Sequence, residues 1–428
     1  MYRRLLVFSC KLLIKLLRLV GKNGSALPGL IIERLDSDFL NASLKRVEKR
    51  IILVTGTNGK TTTTKMLVTA LRGAGARVVT NTTGSNMTRG LIAALIEDMT
   101  YSGNLKPTDW FVFEMDEAYA PVFTKNIAPK GLVALNVLRD QLDRYGEIDK
   151  TAGLIEQAAQ KTDVIIYNQL DPLLKSMVRR LKSRKKRLIA FGVGENLSSH
   201  IANEQSLHGE KVVTDKKDAD VVLVFANESS DMQRLLISVA QQEHELHVPV
   251  KGFHNALNAT AVVAMLSELI LDDILRGLQA LSSMPTPFGR GEKLHFKGKN
   301  VTVALVKNPS GFMSNLETFV KQAKPEVVLF VVNDRFADGR DVSWLWDVDF
   351  QPFIIDGTTL FTSGIRGYDI ALRLKQDHFD VNTTTNVARA VQNIMKSDYT
   401  DIVIIPTYTA LFEVREQLAK YGKVPRIW

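Results

Sequence analysis

The chain has 428 residues, 45% hydrophobic and 24% charged, with a single cysteine; this is a globular composition, long enough for two or three domains and too apolar for general disorder. Cys10 alone excludes an internal disulfide framework and any cysteine-built zinc cluster, and it is consistent with a reducing cytoplasm. The net charge of +9 does not point to nucleic acid, because residues 1–50 hold eleven Lys/Arg against four Asp/Glu and the remainder is nearly neutral.

That basic stretch, 1–50, begins with an amphipathic helical pattern. Arg4, Lys11, Lys15, Arg18 and Lys22 fall in a sector of roughly 60° on a helical wheel. Leu5, Leu6, Phe8, Leu12, Leu13, Leu16, Leu17, Leu19 and Val20 cover the rest. No uncharged run reaches the ~20 residues of a bilayer span, and no small-residue cleavage site follows an apolar core, so a signal peptide is not expected. Two readings stand: an interfacial helix on anionic lipid at the inner face of the plasma membrane, or a helix docked on its own domain with the basic stripe in water.

From residue 51 the pattern is α/β. Ile51–Thr55 reads as a buried strand and Thr61–Leu71 as the helix after it. Further strands are expected at Arg77–Thr80, Trp110–Phe113, Gly131–Leu135 and Val164–Tyr167. Strands alternating with helical patterns predict a mostly parallel sheet with crossover helices. Residues 195–250 are more polar and contain alternating runs such as Val221–Val224, which predicts a β-rich insertion. A helix is expected over Asn255–Leu269, then turn chemistry from Ser282 to Gly289. α/β text resumes at Val301–Leu305, Val327–Val332 and Ile402–Ile405, so the expected domains are 51–298 and 299–428.

Gly56-Thr57-Asn58-Gly59-Lys60-Thr61-Thr62 lies between a strand and a helix. There, backbone N–H groups and a helix N-terminus can cradle phosphates, a lysine adds a cation, and a threonine hydroxyl can ligate Mg²⁺. Only two residues separate the glycines, where the general P-loop has four. GTNGKTT resembles the form used by Mur ligases and folylpolyglutamate synthases, which implies a Mur ligase-type central domain bearing ATP and Mg²⁺.

That resemblance extends along the chain. Glu114 takes the place of the family's Mg²⁺-binding glutamate. Asn255 and Asn258 match the asparagines of HNxxN that contact adenine, and Arg290 in Gly289-Arg290-Gly291-Glu292 matches the arginine that reaches the γ-phosphate. Within the superfamily the chain is most similar to the MurT family. Asn136–Glu147, with Gln141 where amino-acid-adding ligases carry a metal-binding histidine, resembles its RDQxDRxGE block. Lys307-Asn308-Pro309-Ser310-Gly311 resembles KNPAG, and Ala337–Trp344 resembles ADGRDxSW. Ser363-Gly364-Ile365-Arg366 fits the C-terminal domain as well. Two departures stand out. The four-cysteine zinc ribbon common in MurT proteins has no counterpart in 195–250, so no zinc is expected, and Phe312-Met313 stand where a polar contact is usual.

The resemblance implies a ligase subunit that amidates the α-carboxylate of D-isoglutamate in lipid II through an acyl phosphate, in peptidoglycan biosynthesis. The ammonia would come from a GatD-like glutaminase, since Cys10 has no histidine near it in sequence to form a nucleophilic pair. Asp341 is the residue implied to complete the partner's Cys–His pair. The alternatives are a stand-alone Mur-type amino-acid ligase, against which Gln141 and the DGRD block argue, and a nucleotide-binding scaffold without catalysis.

Overall fold

The computed structural model describes residues 2–19, 26–81, 87–138, 148–181, 186–200, 219–229, 232–285, 289–354 and 357–425. The chain divides into two compact units. The first comprises Met1–Val137, Ile148–Val248 and Asn255–Met284; the second comprises Leu138–Glu147, Pro249–His254 and Pro285–Trp428.

The first unit opens with α1 (Tyr2–Leu19), α2 (Ala26–Leu35) and α3 (Phe39–Leu44). Among the described residues its sheet has nine strands: β1 (Ile51–Thr55), β2 (Val78–Thr80), β3 (Trp110–Glu114), β4 (Gly131–Ala134), β5 (Val164–Asn168), β6 (Arg187–Val193), β7 (Val221–Glu228), β8 (Gln233–Val239) and β9 (Gln242–Val248). The strand order is β2-β3-β1-β4-β5-β6-β7-β8-β9. β2 to β7 pair in parallel, while β7, β8 and β9 form an antiparallel meander. The mostly parallel α/β reading therefore holds. β1 is buried at all five positions, as expected of a strand covered on both faces. The β-rich stretch extends the same sheet, and residues 201–218 of it lie outside the described residues.

Helices α4 (Lys60–Gly73), α5 (Thr88–Asp98), α6 (Ala120–Thr124), α7 (Ile148–Ala159), α8 (Pro172–Leu181), α9 (Phe253–Leu269) and α10 (Ile274–Ala280) complete this part of the chain. One continuous core joins Leu6, Val7, Cys10 and Ile14 of α1 to Leu53 of β1 and to Phe111 and Phe113 of β3. The docked reading of α1 thus describes half of its apolar surface. Tyr2, Leu5, Phe8, Leu12 and Leu16 remain exposed.

Among the described residues the second unit has six strands: β10 (Arg290–Phe296), β11 (Lys299–Ala304), β12 (Val327–Val331), β13 (Thr359–Ser363), β14 (Val381–Thr383) and β15 (Asp401–Pro406), ordered β10-β11-β15-β12-β13-β14. α11 (Pro309–Leu316), α12 (Gly367–Gln376), α13 (Val387–Lys396) and α14 (Tyr408–Leu418) accompany them. A boundary at 298 falls in the turn between β10 and β11. Because these two strands pair antiparallel along their length, the second unit begins ahead of the hairpin, at Pro285. Phe312, at the departure from KNPAG, packs its ring 5.6 Å from Phe330 and 5.4 Å from Phe350, so it is a core residue.

Candidate functional site

In the first unit three neighbouring strands, β3, β1 and β4, end at the same edge, and the loops that follow them meet there. This is the edge at which open α/β sheets bind ligands. The Gly56–Gly59 loop needs its glycines. Gly56 has φ +127° and Gly59 has φ +89°, both in the left-handed region. A Cβ on Gly59 would also lie 2.4 Å from Asn258 Oδ1. Asn136, just after β4, fastens the loop. Its carbonyl accepts from Thr57 N at 3.0 Å, its Oδ1 accepts from Asn58 N at 2.8 Å, and its Nδ2 donates to Asn58 O at 3.1 Å.

α4 starts at Lys60, so its unsatisfied N–H groups face the loop. Lys60 Nζ donates to Gly56 O at 2.6 Å and to both Glu117 oxygens, at 3.0 and 3.2 Å. Burial works to lower the pKa of this ammonium, but Glu117, Asp116 and Glu114 more than offset it, and Lys60 is held above its ordinary value and charged. Thr61 Oγ1 donates to Glu114 Oε2 at 2.9 Å. Asn81, after β2, clamps the end of β3: its Oδ1 accepts from Glu114 N at 2.9 Å and its Nδ2 donates to Glu114 O at 3.0 Å.

The site therefore gathers three buried carboxylates around one mostly buried ammonium. A hydroxyl and a carboxylate in contact form a hard-oxygen donor pair suited to Mg²⁺, and a divalent cation would balance the local negative excess. Thr62 is buried in the first turn of α4. On α9, Asn258 Nδ2 donates to Asn255 Oδ1 at 3.2 Å, and both side chains are buried. Thr57, Asn58, Gly59, Lys60, Thr61, Glu114 and Asn258 are thus brought together. Asn81, Asp116 and Glu117 were not anticipated, and Asn136 was read only as the start of the Asn136–Glu147 block. Their signal was legible in retrospect as polar residues placed just after apolar strand runs. Arg139–Glu147, including Gln141, lies outside the described residues.

In the second unit Arg290 opens β10 opposite Ala304. His254 Nδ1 meets Ser314 Oγ at 2.5 Å. Burial, with the nearby Arg290 charge, lowers the His254 pKa to about 4, so the imidazole is neutral at physiological pH. Lys307 stacks its ammonium over the Tyr408 ring at 5.6 Å. Asn308 caps α11, its Oδ1 accepting from Gly311 N at 2.9 Å, with Pro309 at the first helical position.

The loop after β12 carries the two aspartates of the DGRD block in different settings. Asp338 is buried; its Oδ1 accepts from Thr409 N at 2.7 Å and its Oδ2 from Arg335 N at 3.1 Å, tying the loop to the start of α14. Asp341 is half-buried and accepts from Ser343 N at 2.8 Å. Arg335 pairs with Glu413, at 2.7 Å. Phe336, in the same loop, is 94% exposed.

Residues 54–266 match the Mur ligase middle domain model, and residues 305–411 match that of the MurT ligase C-terminal domain. The chain is 30% identical to the MurT subunit of lipid II isoglutaminyl synthase (glutamine-hydrolysing) of Streptococcus pneumoniae, over 92% of each chain. The chain belongs to the MurT family. Among solved structures, MurF of Acinetobacter baumannii matches with a TM-score of 0.69 at 17% identity, covering 92% of this chain and 80% of the other. MurF of Thermotoga maritima in complex with ADP matches at 0.65 and 16% identity, covering 92% and 84%. This MurT-family chain is accordingly an ATP-dependent ligase with the Mur ligase fold. Membership accounts for the tightly spaced glycines at Gly56 and Gly59.

Proposed function

We propose that this protein amidates the α-carboxylate of D-isoglutamate in lipid II, using ammonia released by a separate GatD-like glutaminase subunit. The observation that carries the reading is the Lys60–Thr61–Glu114 cluster, in a chain that matches a named isoglutaminyl synthase subunit over 92% of its length. The γ-phosphoryl group of ATP passes to a carboxylate oxygen, giving an acyl phosphate and ADP. Ammonia then attacks the carbonyl carbon, phosphate leaves with the bonding pair, and the amide remains after proton loss.

Lys60 and the N-terminus of α4 hold the nucleotide phosphates and offset charge on the transferring group. Thr61 and Glu114 would hold Mg²⁺, which would supply electrophilic assistance to phosphoryl transfer. Asn255 and Asn258 are assigned to the adenine, and Arg290, Lys307 and Asn308 to nucleotide binding by their motifs. No thiol serves glutamine hydrolysis here. Cys10 is buried, and burial raises its pKa, the reverse of what a nucleophilic thiolate needs. Asp341 is assigned to the partner's catalytic histidine, on a loop that Asp338 fixes and that presents the exposed Phe336. A lipid substrate puts the work at the inner face of the plasma membrane.

Co-purification with a GatD-like glutaminase and an amidation assay on lipid II test the whole. Asp341→Asn is expected to lower glutamine-dependent amidation by roughly a hundredfold or more, since asparagine is nearly isosteric but does not stabilise an imidazolium. Amidation with free ammonium is expected to survive. Equal loss with both nitrogen sources would assign Asp341 to the ligase site or the fold, and full retention of both would remove its role across the interface.

A further inference from the structure

We infer that α1 is an interfacial membrane anchor, whose exposed face takes an anionic phospholipid surface. At ~100° per residue its side chains divide into three sectors. Leu6, Val7, Cys10 and Ile14 are buried in the core of the first unit. Tyr2, Leu5, Phe8, Leu12 and Leu16 cover a second sector of roughly 120°, and each is between 48% and 59% exposed. Arg4, Lys11 and Lys15 occupy a third, narrow sector that borders the exposed apolar one. This is the layout of a helix lying in a headgroup layer, with an apolar face for acyl chains and cations at its edge.

The helix is held ready for that contact. Arg3 pairs with Asp36, and Tyr2 Oη donates to Leu35 O at 3.4 Å, which fastens its first turn to the end of α2. Further along, Lys11 Nζ donates to Glu97 O at 3.0 Å, and the Phe8 and Tyr101 rings lie 5.9 Å apart. The ammonium groups of Lys11 and Lys15 each lie 5.4 Å from the Tyr101 ring. With its opposite face committed to the core, α1 cannot roll inward to hide the stripe without exposing Val7 and Cys10. Leu35 and Tyr101, both half exposed, enlarge the apolar patch at its two sides.

Charge selects the occupant. Tyr2–Leu19 contains five Lys/Arg and no acidic residue. A second copy of this helix would bring the same cations into register and be repelled. An anionic lipid surface attracts Arg4, Lys11 and Lys15, by about 1 kcal/mol per cation. None of the helices described is long and apolar enough to cross a bilayer, so the contact lies along the surface. The function proposed above bears only on which membrane α1 meets.

The test is flotation of the full chain with vesicles of phosphatidylcholine alone, or of phosphatidylcholine with phosphatidylglycerol. Wild type is expected to float with the anionic vesicles, and less so as ionic strength rises from about 0.1 M to about 1 M and the screening length falls from ~10 Å to ~3 Å. Leu5→Glu/Leu12→Glu/Leu16→Glu is expected to lower the vesicle partition coefficient by roughly tenfold or more, with an unchanged melting temperature and unchanged ATP affinity. If that variant does not fold, Arg4→Glu/Lys15→Glu, at two exposed positions, carries the test through loss of the preference for phosphatidylglycerol. Absence of binding, or equal binding to both vesicle types, would overturn the inference. So would a dimer in sedimentation that the triple substitution dissolves. Neither arm uses lipid II, so failure of the amidation reading would leave the vesicle result standing.

Discussion

At the scale of single residues, Lys60 at the end of the glycine loop is paired with Glu117. Lys60 is 14% exposed and Glu117 is 5% exposed, so truncating the lysine leaves a carboxylate buried without its partner. Removing one member of such a pair costs on the order of 3–5 kcal/mol. Lys60→Ala is therefore expected to lower stability and to abolish ATP binding together. Lys60→Ala/Glu117→Gln should recover much of the stability and none of the ATP affinity, as urea titration and isothermal calorimetry would show. Retained ATP affinity in either variant would remove Lys60 from the phosphate site. His254 gives a pH signature of its own. Its pKa is about 4 in the fold against 6.5 for the free side chain, so between these values the unfolded chain binds more protons. The contribution is fully present above pH 6.5 and is lost as pH falls towards 4. His254→Gln should flatten that part of the stability profile, measured by urea midpoints across the window; an unchanged slope would mean that His254 titrates normally.

At the scale of elements, α11 shows a motif residue with a structural task. Asn308 occupies the N-cap, with Oδ1 on Gly311 N. Asn308→Ala is expected to cost about 1 kcal/mol through the lost cap. Asn308→Asp keeps the capping oxygen, and so keeps stability, while adding a negative charge. If Asn308 also contacts nucleotide, ATP affinity should fall in the aspartate variant although its melting temperature does not. Unchanged affinity in both variants would make the residue a cap alone. The helices and strands themselves were largely legible. β1, β3, β5 and α4 fall within two residues of the apolar runs that predict them, because buried parallel strands are written as uninterrupted Val/Ile/Leu/Phe. The meander β7–β9 was expected as a β-rich insertion and instead prolongs the main sheet, since alternation specifies a half-buried strand without naming its neighbour.

For the whole molecule, the sequence makes a compositional prediction. MurT-like proteins commonly hold a four-cysteine zinc ribbon, and one cysteine cannot build it. Elemental analysis of the purified protein is expected to find well under ~0.5 zinc per chain after a mild chelator. Stoichiometric zinc that survives chelation would require a His/Asp site. By itself the sequence determined the α/β class, the glycine loop with its lysine and threonine between a strand and a helix, and the MurT-like blocks of the second unit. These signals are local: each depends on a few residues in fixed order, on the period of an apolar run, or on a glycine at a forced turn. Tertiary structure alone decided what those residues touch. Asn136 reaches the loop from 78 positions away and Glu117 reaches Lys60 from 57 away, across neighbouring strand ends that no local pattern announces. It also decided the fate of α1. A helical wheel separates charged from apolar residues, but only packing determines which apolar side chains enter a core and which are left facing out.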